Sequence, residues 1–244
     1  MGREKIIRDA RRGGVTEPHR WCAVERPTSR PYCALVMWAA RQALTRLRDG
    51  NRRFVSGRRS LDAQLSQTQR PELAVEQRPF AVVLGCSDSR VPAEIVFDQG
   101  LGALFVIRVA GNIVAPSQVG SVEFAAARFG TPLVVVLGHT QCGAVLATLE
   151  EIRSPTSHSP NVRSIVDRIR PSVETLLATE LAYDEGRLAR AAVRANVRAS
   201  ADHLRHGSAL LEQLIVDGNL VVVGAEYSLE SGEVDFFDGG VDGD

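Results

Sequence analysis

Two short segments bring reactive side chains together at close spacing: Cys86-Ser87-Asp88-Ser89-Arg90 and His139-Thr140-Gln141-Cys142. Each follows an apolar, β-branched run, Phe80 to Leu84 before the first and Leu133 to Leu137 before the second. If those runs are parallel strands, both segments lie just beyond carboxyl ends, where open α/β sheets bind their ligands. Together they offer two thiols, an imidazole and a carboxylate, a donor set suited to zinc. Two thiolates cancel the charge of Zn²⁺ and a neutral imidazole makes a third ligand, leaving one tetrahedral position. A fourth bond from Asp88 would make the shell structural or resting, whereas a water there would make it catalytic, and the residues alone leave both open. Asp88 and Arg90, two apart on an extended turn, are within ion-pair reach, which would keep the carboxylate ionised and oriented. The backbone N–H of Gly143 opens the helix after Cys142 and is a candidate donor to an anionic product, because helix N-termini favour negative charge.

The pattern Cys86-x-Asp88-x-Arg90 followed by His139-x-x-Cys142 resembles the β-class carbonic anhydrases. The resemblance runs from about Met37 to about Glu233 and includes the Phe97–Asn112 stretch, FDQGLGALFVIRVAGN. It implies Zn²⁺ held by Cys86, His139 and Cys142, with Asp88 as a switch ligand and Arg90 as its alternative partner. The implied reaction is reversible hydration of carbon dioxide to bicarbonate and a proton by zinc-bound hydroxide, zinc lowering the pKa of its water toward about 7. Hydrolysis of carbonyl sulfide or carbon disulfide on the same site, or a non-catalytic zinc-binding homologue, are the competing readings. The family also implies a product-binding glutamine, here Gln64 or Gln67. Some members hold a regulatory bicarbonate on a Trp, an Arg and a late Tyr; Arg108 and Tyr227 match, while the Trp position is Val83. A homodimer or dimer-based homotetramer is the implied assembly, with the stripe Val36, Leu44 and Leu47 packing across a neighbouring subunit.

The elements that must position these residues read as one α/β domain over residues 34–237. The expected architecture is a mainly parallel central sheet flanked by helices, with an N-terminal helical arm. Strands are expected at Phe80–Gly85, Ala103–Val109, Leu133–Gly138 and Leu220–Gly224. Helical patterns fall at Pro92–Gln99, Ser117–Phe129, Gly143–Ile152, Val162–Thr179 and Glu185–His206. The arm, from Ala34 to Phe54, repeats Val36, Ala40, Leu44 and Leu47 at helical spacing, with Gly50 and Gly57 marking its fraying end. Residues 1–33 read as an Arg-rich tail, with Met37 an alternative start, and residues 238–244 as a loose Gly/Asp-rich end.

Composition excludes several partner classes. Lys plus Arg and Asp plus Glu both total 29 in 244 residues, so charge argues for neither nucleic acid nor an anionic membrane. Aromatic residues make up only 5%, too few for a base-stacking platform. No apolar run approaches the roughly 18 residues of a membrane span. With Cys86 and Cys142 assigned to metal, only Cys22 and Cys33 remain for a disulfide, and metal-type spacing in a chain of this length reads as a reduced, cytoplasmic protein.

Overall fold

A computed structural model describes residues 30–60, 70–155 and 158–239. Of the expected tails at 1–33 and 238–244, residues 1–29 and 240–244 lie outside the described residues, as do Cys22, Gln64 and Gln67. Four short apolar strands, β1 (Ala81–Gly85), β2 (Leu104–Arg108), β3 (Leu133–His139) and β4 (Val221–Tyr227), form a parallel sheet. An antiparallel β5 (Val234–Asp238) closes one edge, giving the order β2-β1-β3-β4-β5. Every residue of β1 and β3 is buried, as expected of strands covered on both faces. Parallel pairing forces a crossover between successive strands from β1 to β4, and the crossover helices together with the N-terminal helix cover those faces.

One face packs under α1 (Arg30–Val55) and the short α3 (Ala93–Val96), which follows α2 (Arg70–Leu73) in the chain. Leu44, Leu47 and Phe97 meet Val83, Val135, Leu137, Val223 and Ala225 there. The other face packs under α4 (Pro116–Phe129), α7 (Glu185–His206) and α8 (Ala209–Val216), through Val122, Val197, Leu204 and Leu211. Beyond the strand ends, α5 (Gly143–Arg153), α6 (Pro160–Val173) and α7 enclose a third apolar cluster that contains both Cys86 and Cys142. None of the described helices is long and apolar enough to cross a membrane.

Several expectations are corrected. The arm begins at Arg30 rather than Ala34. Its Leu44 and Leu47 are buried on this chain's own sheet, not left for a neighbouring subunit. Asn51 fastens it further, donating to Gly232 O at 2.9 Å and accepting from Val234 N at 2.9 Å. Gly50 does not fray the helix; a Cβ there would stand 1.8 Å from Phe97 O, so glycine is what allows α1 and the α3 end to touch. Helix α6 stops at Val173, two residues past Pro171, and passes into 3₁₀ turns at Glu174–Ala178 and Glu180–Tyr183. Strand β4 runs on to Tyr227, and α8 and β5 are additions. Asp238, expected at the head of a loose tail, ends β5 and pairs with Arg205 at 2.6 Å.

Candidate metal centre

The register of the sheet brings the two motifs together. Gly85 pairs with Leu137, so Cys86 and His139 leave adjacent parallel strands at nearly the same height. Gln141 takes a left-handed backbone (φ 57°), turning the chain so that Cys142 comes back beside His139 before α5 begins. The ligand atoms of Cys86, His139 and Cys142 all lie within 4.8 Å of one another, and all three residues are buried. His139 Nδ1 donates to Thr140 O at 2.8 Å, because a carbonyl can only accept. In the neutral ring the other nitrogen, Nε2, then carries the lone pair, and it is buried without a hydrogen-bond partner. An unpartnered buried acceptor facing two sulfurs costs free energy unless a cation completes it. The donor set thus fits a metal ion, and a soft one with a preference for nitrogen and sulfur.

The shell around the donors is built from backbone as much as from side chains. Thr140, whose carbonyl orients His139, is itself clamped by the β4–β5 hairpin. Its N–H donates to Tyr227 O at 2.9 Å, its hydroxyl donates to Glu230 at 3.0 Å, and it accepts from Leu229 N at 3.0 Å. Gly111 N–H points at Cys86 Sγ at 3.3 Å from a 3₁₀ turn, Ala110–Asn112, in which Gly111 has φ 69°. With no metal bound, the Cys142 thiol, the nearby imidazole and the N–H groups of Asp88 and Gly111 pull the Cys86 pKa down to about 4, against burial. The Cys86 thiolate and burial together push Cys142 up.

Asp88 stands outside the group of three donors. Arg90 grips it with Nε on Oδ1 at 2.9 Å and Nη2 on Oδ2 at 2.7 Å, and the Arg90 N–H adds a third bond at 3.0 Å. The Arg90 hydrogen bonds hold the Asp88 carboxyl well below the usual carboxylate range, although burial opposes them. Asp88 Oδ2 remains 3.9 Å from His139 Nε2. Arg108 donates to Cys86 O at 2.9 Å and to Asp88 O, bracing the loop that carries both residues. Tyr227 is buried on β4, packed near Phe54, with β1 and β3 between it and Arg108. Three strand spacings separate their backbones by roughly 14 Å, and Arg108 directs two of its nitrogens at the Cys86 and Asp88 carbonyls. The third position of the expected bicarbonate site, Val83, is fully buried core. Gly143 leads α5 and is exposed, with open space where a Cβ would be. The Gly111 N–H and the bracing role of Arg108 were not read from the sequence; the glycine in RVAGN was the available signal.

Residues 81–234 match the family model for carbonic anhydrase. This chain belongs to the carbonic anhydrase family. Carbonic anhydrase 2 of Mycobacterium tuberculosis is 41% identical over 187 residues, 76% of this chain and 87% of the relative. The carbonic anhydrase of Mycolicibacterium smegmatis is 40% identical over 209 residues, 86% of this chain and 94% of that one. Among solved structures, a tetrameric β-carbonic anhydrase of the filamentous ascomycete Sordaria macrospora aligns with a TM-score of 0.63 at 25% identity, covering 72% of this chain and 88% of its own. The parallel sheet, the N-terminal helix and these relatives identify the enzyme as a β-class carbonic anhydrase.

Proposed function

We propose that this carbonic anhydrase holds Zn²⁺ on Cys86, His139 and Cys142 and hydrates carbon dioxide reversibly to bicarbonate and a proton. The observation that carries the reading is the unpartnered Nε2 of His139, buried against two sulfurs beside a carboxylate that Arg90 keeps ionised. Zinc, when bound, would act as a Lewis acid that makes hydroxide available near neutral pH. Every other role falls to the chain itself. Asp88, acceptor-only while Arg90 holds it, can take a hydrogen bond from the reacting water and orient its lone pair toward the substrate. The same carboxylate is the switch: released by Arg90, it is free to turn toward the three donors and close the remaining position. The apolar cluster of Ile113, Val145, Leu149 and Ile169 suits a small apolar substrate. The Gly143 N–H, at the positive end of α5, suits a bicarbonate oxygen. Gln64 or Gln67 remains the proposed side-chain partner of the product. A homodimer or dimer-based homotetramer is the proposed assembly, supported by the tetrameric Sordaria relative.

The test uses one zinc-loaded sample for metal content, stopped-flow carbon dioxide hydration and carbonyl sulfide consumption. One zinc per chain with rapid hydration is expected, and Cys142→Ser should lose both. Full occupancy and full rate in Cys142→Ser would overturn the ligand assignment; carbonyl sulfide consumption without hydration would replace the substrate.

A further inference from the structure

The inner face of α7 carries two polar residues in an otherwise apolar stripe. Asn196 is 2% exposed and Ser200 is 5% exposed, among Leu188, Ala192, Val193, Val197, Ala201 and Leu204. They are four apart, hence one above the other on the helix, and they grip consecutive carbonyls of one turn. Asn196 Nδ2 donates to Gly111 O at 2.8 Å, and Ser200 Oγ donates to Asn112 O at 3.0 Å. That turn delivers the Gly111 N–H to Cys86 Sγ. We propose that Asn196 and Ser200 are positioning residues for the Cys86 thiolate, acting through the Ala110–Asn112 turn. The inference rests on the metal reading above.

The turn is closed by Asn112 N–H on Val109 O at 3.0 Å and tied to β1 by Val109 N–H on Gly85 O at 3.1 Å, and the two α7 side chains add the bonds to its outer carbonyls. Gly111 and Asn112 both have positive φ, 69° and 42°, which costs Asn112 some strain and gives the segment a reason to relax. Ile169 and Ala144 press close to Gly111: a Cβ there would meet them at 2.8 and 3.1 Å. The turn is thus packed against Ile169 and Ala144 and tied to α7 by two hydrogen bonds. An N–H aimed at a thiolate withdraws part of its charge, which matters where two thiolates share one cation. With the amide of Asn196 gone, Gly111 O loses its buried donor, the turn shifts, and Sγ loses its N–H. The sulfur then becomes more electron-rich and less well aimed.

Polar groups that merely satisfy buried carbonyls would behave differently, and Thr131 supplies the comparison. It is 1% exposed and donates to Pro79 O at 3.0 Å, the same kind of bond at the opposite end of β3. Cobalt(II)-loaded wild type, Asn196→Ala, Ser200→Ala, Ser200→Thr and Thr131→Val would be compared by the thiolate-to-cobalt charge-transfer band, by chelator competition and by Tm. Asn196→Ala is expected to move the band to longer wavelength and weaken metal binding about tenfold. Ser200→Ala should move both in the same direction by less, with Ser200→Thr, which keeps the hydroxyl, restoring them. Thr131→Val should lower Tm only. An Asn196→Ala protein that loses Tm while its band and affinity match wild type would overturn the proposal. If Asn196→Ala does not fold, Ser200→Ala decides in the same way: a shifted band supports the role and an unshifted one overturns it. Wild type that takes up no cobalt would overturn the metal reading itself, a separate result.

Discussion

Removing the metal should turn Cys86 into a thiolate whose alkylation barely depends on pH. An ordinary cysteine, with a pKa of about 8.5, is roughly 0.3% ionised at pH 6. Cys86, drawn down to about 4 by the Cys142 thiol, His139 and two backbone N–H groups, is almost wholly ionised there. That is roughly 300-fold more thiolate, but nucleophilicity falls with basicity by a factor near 100 over about 4.5 pKa units at a Brønsted slope of about 0.45. The absolute rate is thus no guide, particularly at a residue that is only 5% exposed. The profile is. Between pH 5.5 and 8 an ordinary thiol accelerates about tenfold per unit, some 300-fold in all, while Cys86 should stay flat and Cys142, pushed up by the Cys86 thiolate and burial, should stay unreacted. The assay is iodoacetamide labelling of chelator-stripped, phosphine-reduced protein, read by peptide mass spectrometry. A Cys86 rate that climbs tenfold per unit, or a faster Cys142, would refute the reasoning. Stability should follow the same coupling. The Cys86 contribution, from a depressed acid, is full above its unfolded pKa of about 8.5 and is lost as pH falls toward about 4. Burial lowers the His139 pKa but the adjacent Cys86 thiolate outweighs it, so the net shift is upward; that contribution is full below about 6.5 and lost as pH rises through the raised value. Metal-free Tm should therefore change little just above pH 6.5 and fall steadily below it.

Arg90→Ala removes both side-chain bonds to Asp88, so hydration at pH 8–9 should drop about 10- to 100-fold with metal retained; unchanged stopped-flow rates would remove the switch. Asp88→Asn should likewise keep the metal while slowing hydration, checked by metal analysis on the assayed sample. Because Arg108 is committed to the Cys86 and Asp88 carbonyls and Val83 is core, added bicarbonate should depress initial hydration rates only as ordinary product inhibition, without cooperativity. Leu47→Ala, at a fully buried position of α1, should cost about 2–5 kcal/mol in denaturant unfolding; a loss well under 1 kcal/mol would mean that α1 does not rest on its own sheet.

What could be read ahead of the structure was written in side chains, and what could not was written in distant partners or in backbone. The four parallel strands were legible because runs such as Leu133–Leu137 are apolar at every position, which only a doubly covered strand tolerates. Strand β5 was not: Val234-Asp235-Phe236-Phe237-Asp238 carries two acids that make sense only beside Arg194 and Arg205, 41 and 33 residues away. The leucines of α1 show that the helix is buried, but an apolar stripe looks the same against its own sheet and against a neighbour's. The fastening is in Asn51, and also in Asp98, which takes Arg53 at 2.6 Å from inside the FDQG stretch. At the centre itself, cysteine and histidine announce a metal by residue type and spacing. Arg108 announced an anion, yet it spends its donors on carbonyl oxygens, a use that leaves no mark in the sequence. The two polar residues on the buried face of α7 were a further visible anomaly, since a buried amide needs a partner and that partner proved to be the turn against Cys86. A chain that kept all three donors but carried alanine at position 196 would still read as the same site, while its Cys86 sulfur faced the metal without a fixed N–H. Ligand motifs therefore specify which atoms reach the metal, and the α7 face governs how much charge one of them brings.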